Sequence, residues 1–279
     1  MADKLSASIK TLVKVALQAK YCPIVRNGAD APRGDRPLYI MGNGPSLRTN
    51  LDNNLELLER SDTLAVNFAA NTPEFRIVRP KYYVLADPHF FRNISDKNVA
   101  ALLESLKAVD WRMTLFVPAK SRRSVARMIG NPMVSVEGFN FLAAEGWTWL
   151  EQLMFRLRLG MPRPRNVLIP SIMIGIWLGY KKIYVLGADH SWLKTLDVDS
   201  DNRVVSVQPH FYKEDSHEVE RINRTYLDLK LHQVLESMTI AFASYHKINA
   251  YASRCGITII NATPGSFIDA FPRGSIERN

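Results

Sequence analysis

An α/β fold wound in both directions around a mostly parallel sheet is predicted by three observations. Short apolar strands run unbroken, helices separate them, and a polar residue stands at almost every strand end. Strands buried on both faces show continuous rather than alternating hydrophobicity, and the intervening helices supply the crossovers that a parallel sheet requires. The third observation bears on function, because open α/β sheets bind ligands outside the carboxyl ends of their strands. Here those ends carry Asn43, Asn67, Asp87, Asp189 and Asn261.

The elements follow in order. In residues 1–36, Leu5, Ile9, Leu12, Val13, Ala16 and Leu17 recur at helical spacing among Lys4, Lys10, Lys14 and Lys20. Such a basic amphipathic helix either lies on anionic lipid or packs on the domain with its lysines in water. Pro23, Gly28, Pro32, Gly34 and Pro37 then punctuate a connector. The first strand, Leu38 to Met41, runs into the turn Gly42-Asn43-Gly44-Pro45-Ser46-Leu47. Its glycines let backbone approach a ligand, Pro45 opens a helix, and Asn43 and Ser46 offer side chains to an anion or a sugar hydroxyl. The turn reads as a nucleotide site of neither common type. Leu47 stands where a dinucleotide fold has its third glycine, and the Lys-Ser/Thr ending of a P-loop is missing.

A helix is expected over 50–60, then strands over 63–66 and 81–86 that end at Asn67 and Asp87. A helix over 96–108 and a strand over 113–117, stopped by Pro118, come next. A helix over 171–179 leads to a strand over 182–186 that ends in Gly187-Ala188-Asp189-His190. A long helix over 219–255 and a strand over 257–260 close the pattern.

At 279 residues, 47% hydrophobic and 23% charged, the chain can bury the core of one large domain, with or without a lid. A formal charge of +9 favours polyanionic partners such as nucleotide phosphates, an anionic glycolipid or a membrane surface. Nucleic acid is disfavoured, since aromatic and basic residues are not interleaved in an RNA-binding pattern. Two cysteines, Cys22 and Cys255, without a paired motif suit a reducing cytoplasm. No apolar run reaches the roughly 18 residues that span a bilayer, so a soluble or peripheral protein is expected, at most on the inner face of a membrane.

On these residues the chain resembles the bacterial sialyltransferases of glycosyltransferase family 42. Gly42-Asn43-Gly44-Pro45-Ser46-Leu47 is similar to that family's opening nucleotide loop, Val66-Asn67-Phe68 to its following asparagine segment, and Asp87-Pro88-His89-Phe90-Phe91 to its Asn-Pro-Ser-Leu-Phe-Phe block. Leu178-Gly179-Tyr180-Lys181-Lys182-Ile183-Tyr184 and Gly187-Ala188-Asp189 are similar to its Leu-Gly-Tyr-Lys-Glu-Ile-Tyr and Gly-Ile-Asp run. Pro209-His210-Phe211 and Asp215-Ser216-His217 resemble a lid carrying its catalytic histidine. More loosely, the Gly-x-Gly-Pro-Ser-Leu turn resembles that of the MptE-like hydroxymethylpterin pyrophosphokinases.

The resemblance implies a Rossmann-like domain over 37–279, a GT-A-like sialyltransferase variant with a lid at about 190–222. It would move a sugar, sialic acid or a relative, from a CMP-linked donor to a bacterial surface glycan or glycolipid, as in polysaccharide biosynthesis. Gly42, Asn43, Gly44, Ser46, Asn67, Asp87, Gly187, Asp189 and His190 would hold nucleotide and donor. His217, His210 and Asp87 are the catalytic candidates. The departures are Asp87 in place of a donor-contacting asparagine, Ser191 and Trp192 where a tyrosine pair is expected, and Arg221 at the spacing of the base.

The chemistry fits those residue types, since transfer needs a stabilised leaving phosphate and a base with a pKa near neutral. Arginines 156, 158, 163 and 165, or 122, 123 and 127, are available to steer an anion, the second group having the spacing of an exposed helix. Asp197 to Asn202 reads as a polar hairpin turn rather than a metal loop, having neither the glycine nor the closing glutamate of an EF-hand. No metal ligand and no cofactor beyond the nucleotide sugar are expected. The pyrophosphokinase alternative needs ATP and magnesium, and a single Asp87 at the second strand end disfavours it. A homo-oligomer is compatible with all of this.

Overall fold

The computed structural model describes residues 1–20, 36–205 and 229–276. Its central sheet contains β1 (Leu38–Met41), β2 (Asp62–Val66), β3 (Tyr82–Val84), β4 (Met113–Pro118), β5 (Val134–Phe139), β6 (Lys182–Leu186) and β9 (Thr258–Asn261). The spatial order is β5-β4-β3-β2-β1-β6-β9, and every neighbouring pair is parallel. The chain therefore winds outward from β1 to β5, then returns across β1 to lay β6 and β9 on its other side. That reversal makes the β1/β6 boundary the topological switch point, where the loops leave in opposite directions and open a crevice.

Both faces of the sheet are covered. Leu38 and Ile40 point into one core with helices α7 (Thr148–Arg156), α8 (Leu168–Leu178) and α9 (Leu231–Arg254). Tyr39 and Met41 point into the other with α2 (Leu47–Glu59), α3 (Pro73–Val78), α5 (Lys97–Lys107) and α6 (Arg122–Ile129). A single turn of helix, α4 (His89–Arg92), follows β3. All 11 residues of α8 are buried, so it is apolar all round rather than amphipathic.

The six strands expected along the chain are found to within two residues or so, the edge strand β5 was not foreseen, and helix starts differ for identifiable reasons. The predicted helix over 50–60 begins at Leu47, because Pro45-Ser46 already turns the chain. The one over 171–179 begins at Leu168, where Asn166 turns its Oδ1 to the Leu168 and Ile169 amides at 3.1 and 3.3 Å. The long C-terminal helix begins at Leu231, since Lys230 is extended; the expected start at 219 lies outside the described residues. Asp197 to Asn202 does form a hairpin turn. Here β7 (Asp197–Val198) pairs with β8 (Val204–Val205), and Asp199 Oδ1 accepts from the Asp201 and Arg203 amides.

Packing of α8 on the sheet depends on Gly175, where an added Cβ would lie 2.9 Å from Leu38 Cδ2 and 3.1 Å from Ile183 Cδ1. These are movable side-chain ends in a dense core. Gly175→Ala is thus expected to lower stability by about 1–2 kcal/mol, read as a lower urea midpoint with an unchanged slope.

Candidate functional site

At the switch point the loop after β1 lies directly against the loop after β6. Gly42 N donates to Leu186 O and Gly44 N to Gly187 O, both at 2.8 Å. A Cβ on Gly42 would sit 2.5 Å from Gly187 O, and one on Gly44 would sit 2.0 Å from Asp189 Oδ2. The close approach that these glycines permit within the protein is to the neighbouring loop. Gly187 itself has φ +60, with Gly42 O and the Leu47 Cβ both 2.7 Å from where its own Cβ would stand.

Ser46 is held within the same contact. Its Oγ donates to Asp189 Oδ2 at 2.8 Å and its amide approaches both carboxylate oxygens at 3.3 and 3.4 Å. The Asp189 carboxylate thus occupies the N-terminal end of α2, the place where helix geometry favours an anion. Burial raises its pKa above the usual carboxylate range, and the hydrogen bonds from Ser46 partly oppose that rise.

Between the two loops lies a cavity of about 130 Å³, lined by Gly42, Asn43, Gly44, Pro45, Val66, Asn67, Asn166, Val167, Leu168, Gly187, Asp189, His190, Ser191 and Trp192. Asn43 Nδ2 donates to Val66 O at 3.3 Å, which fixes the amide orientation and leaves the buried Oδ1 without a hydrogen-bond partner among the described residues. A buried orphan acceptor in a cavity calls for a ligand donor. Asn67 and His190 both adopt left-handed backbone, with φ 51 and 50. Such strain in non-glycine residues concentrates at functional sites.

His190 is the best-supported side chain of the cavity. Its Nε2 lies 2.8 Å from Tyr245 Oη and 3.3 Å from Asn166 Nδ2, and its ring packs against Trp192 and Phe242. Tyr245 also donates to Asn166 Oδ1 at 3.0 Å, so the three side chains fix one another. Burial pushes the imidazole pKa down to about 4, so the ring is neutral at physiological pH. Because the folded value lies below the ordinary 6.5, the folded state binds fewer protons than the unfolded chain between those values. Stability is then full above pH 6.5 and falls with pH until about 4, by at most about 3 kcal/mol. His190→Gln should flatten that acid slope in denaturation curves measured across the window.

Of the residues singled out from the sequence, Gly42, Asn43, Gly44, Asn67, Gly187, Asp189 and His190 come together at the cavity, and Ser46 backs it through Asp189. Asp87 is elsewhere. It is exposed after β3, with Oδ1 accepting from His89 N at 2.8 Å, next to a second cavity of about 300 Å³ that Ala86, Pro88, Phe91, Arg92, Lys120 and Phe141 help to line. Asn261 is satisfied internally by Ser266, Ile268 and Thr263 and serves the turn after β9. His210 and His217, with most of the expected lid, lie outside the described residues. The arginines disperse: Arg163 pairs with Glu145, Arg122 with Glu137, and Arg165 is exposed beside Asn166. Asn166, Trp192 and Tyr245 were not foreseen as site residues. An asparagine just ahead of a wholly apolar helix was a usable signal for the first, whereas Tyr245 lies mid-helix and reads as core.

No group of three or more potential metal-ligating side chains occurs among the described residues, and none of their helices is long and apolar enough to cross a membrane.

No family model matches the chain, and no curated protein sequence matches it. Among solved structures, it is similar to the MAf glycosyltransferase from Magnetospirillum magneticum AMB-1, with a TM-score of 0.52 and 13% sequence identity over 86% of this chain. The chain spans 34% of that protein's length. At this identity the likeness establishes a shared α/β fold.

Proposed function

We propose that the chain transfers a glycosyl group from a nucleotide sugar, with CMP-linked sialic acid or a relative as donor and a bacterial surface glycan or glycolipid as acceptor. The observation that carries this reading is the set of donors and acceptors left available at the switch-point cavity. The amides of Gly42, Gly44 and Ser46 are already engaged by Leu186, Gly187 and Asp189, so the loop is not a cradle for a triphosphate. What it offers instead is the Asn43 acceptor, neutral His190 and the Trp192 ring, groups suited to ribose hydroxyls and a base. A donor with one phosphate fits that inventory better than ATP with magnesium. Occurrence of the same fold in a glycosyltransferase supports the reaction class.

The reaction then proceeds by attack of an acceptor hydroxyl oxygen on the anomeric carbon. The bond from that carbon to the phosphate oxygen breaks, the nucleotide leaves with the electron pair, and the hydroxyl proton passes to a base. His217 is assigned as that base, with His210 next, on the strength of the family resemblance. Asp87 follows the end of β3, between Ala86 and Pro88 of the second cavity. That larger cavity, with Arg92 and Lys120 at its rim, suits an anionic acceptor.

A thermal-shift series with CMP, CDP, UDP, GDP and ATP, each with and without magnesium, tests the reading. CMP at about 100 times its dissociation constant should add about 2.7 kcal/mol of stability, independent of magnesium. Transfer activity should survive EDTA. A shift confined to ATP with magnesium would replace the proposal with the pyrophosphokinase reaction.

A further inference from the structure

Helix α1 (Ala2–Gln18) is attached to the domain by the wrong face for an ordinary amphipathic helix. Its buried residues are Ser8 and Thr11, not its leucines. Thr11 Oγ1 donates to Glu145 O at 2.7 Å and accepts from Glu145 N at 2.9 Å, while Ser8 Oγ accepts from Trp147 N at 3.1 Å. Gly146 allows this approach, since a Cβ there would lie 2.1 Å from Ser8 Oγ. Beyond the helix, Lys20 N donates to Asn140 Oδ1, and Asn140 Nδ2 donates back to Lys20 O. The docking is thus specific and short-range, polar at Ser8 and Thr11, with Val15 alone packing partly buried against the core.

The apolar stripe consequently faces outward. Leu5, Ile9, Leu12, Val13 and Leu17 are 46%, 51%, 49%, 51% and 76% exposed, and they share one side of the helix at i, i+4, i+7, i+8 and i+12. No described residue covers them. Lys10 and Lys14 flank that stripe between it and the docked face, and Lys4 stands at the N-terminal end of the docked face, one turn before Ser8, all three exposed. The segment that receives the helix also carries Trp149, 62% exposed and stacked on Trp147. A core-packed helix buries its leucines and wets its serines; this one does the reverse.

We infer that α1 is a membrane-docking element, its apolar stripe entering the headgroup boundary of an anionic bilayer while the lysines contact lipid phosphates. Apolar residues supply insertion, the flanking cations select negative lipid, and tryptophan beside the helix is the aromatic type that favours the membrane interface. The net charge of +9 acts in the same direction at longer range. A lone helix of this size binds reversibly, which suits a peripheral protein. The inference stands apart from the reaction proposed above.

The test uses the full chain and sedimentation with vesicles of equal parts phosphatidylcholine and phosphatidylglycerol, beside vesicles of phosphatidylcholine alone. Binding is expected to the first and much less to the second, to weaken in high salt, and to shift tryptophan emission to the blue. Ile9→Glu with Leu12→Glu should lower the partition coefficient about tenfold or more with an unchanged melting temperature, since both side chains are exposed. Lys10→Gln with Lys14→Gln should weaken binding and reduce its salt dependence. Failure of the wild-type chain to bind anionic vesicles overturns the inference. So does equal binding by the Glu double variant. A concentration-dependent dimer that the Glu variant dissolves, without vesicle binding, would assign the face to a second copy instead.

Discussion

Gly44→Ala is expected to abolish measurable nucleotide binding and to destabilise the fold by about 3 kcal/mol, more than an ordinary small-to-large change. An added methyl would lie 2.0 Å from Asp189 Oδ2 and 2.7 Å from Gly187 O, and the second of these belongs to backbone that cannot swing away. To relieve both, the two loops must separate, which breaks the 2.8 Å hydrogen bond from Gly44 N to Gly187 O and opens the cavity between them. Isothermal titration and urea denaturation of the same variant report the two effects separately. Asp189→Gly in the Gly44→Ala background should restore part of the stability by removing the closer contact. The coupling expected from that double-mutant cycle is on the order of 1 kcal/mol or more. Strict additivity would show that Gly44 and Asp189 do not meet as described.

A comparable loss is expected when the histidines are removed one at a time, but in different kinetic constants. His217→Ala should reduce kcat on the order of 100-fold with donor affinity nearly unchanged, the pattern of a lost general base. His190→Ala should instead weaken donor binding on the order of tenfold, because this ring is a neutral wall of the cavity held by Tyr245 and Asn166. Tyr245→Phe, which leaves the ring in place without its 2.8 Å partner, should fall between wild type and His190→Ala in affinity. If both His217→Ala and His210→Ala retain full transfer, the histidine-base mechanism is wrong and Asp87 or Asp189 becomes the candidate. A 100-fold loss of kcat in His190→Ala with unchanged affinity would move the base into the cavity itself.

Much of this fold is legible in the sequence because a parallel sheet buried on both faces leaves a strong trace. The unbroken run Leu38 to Met41 has no alternative to a central strand, and its residues are at most 6% exposed. The strand ends pointed to the candidate cavity for the same reason, since ligand crevices open where parallel strands stop. What the glycines do was not legible. Close approach to a phosphate and close approach to Gly187 demand the same missing Cβ, and only the register of β1 on β6 reveals the second. Asn261 shows the converse ambiguity, a strand-end polar residue satisfied entirely by its own turn. The orientation of α1 was hidden for another reason. Its periodicity reveals an apolar face, but the partner of that face depends on where Ser8 and Thr11 find the backbone of residues 145–147.

The placement of β1 between β2 and β6 also governs the order in which the molecule comes into being. Leu38 pairs with Asp62 on one side and with Ile183 on the other, a partner more than half the chain away. During synthesis the strands from β1 to β5 emerge first and can pair locally, while one edge of β1 waits for β6. Until then a wholly apolar strand presents unpaired amides and carbonyls, which is the template that recruits other chains. The switch-point cavity has one wall during this interval, so no ligand bound there can stabilise the nascent half. Chains truncated ahead of Lys182 are accordingly expected to form insoluble aggregates, whereas those extended through Asn261 should refold to soluble protein, with β6 docking as the slow step.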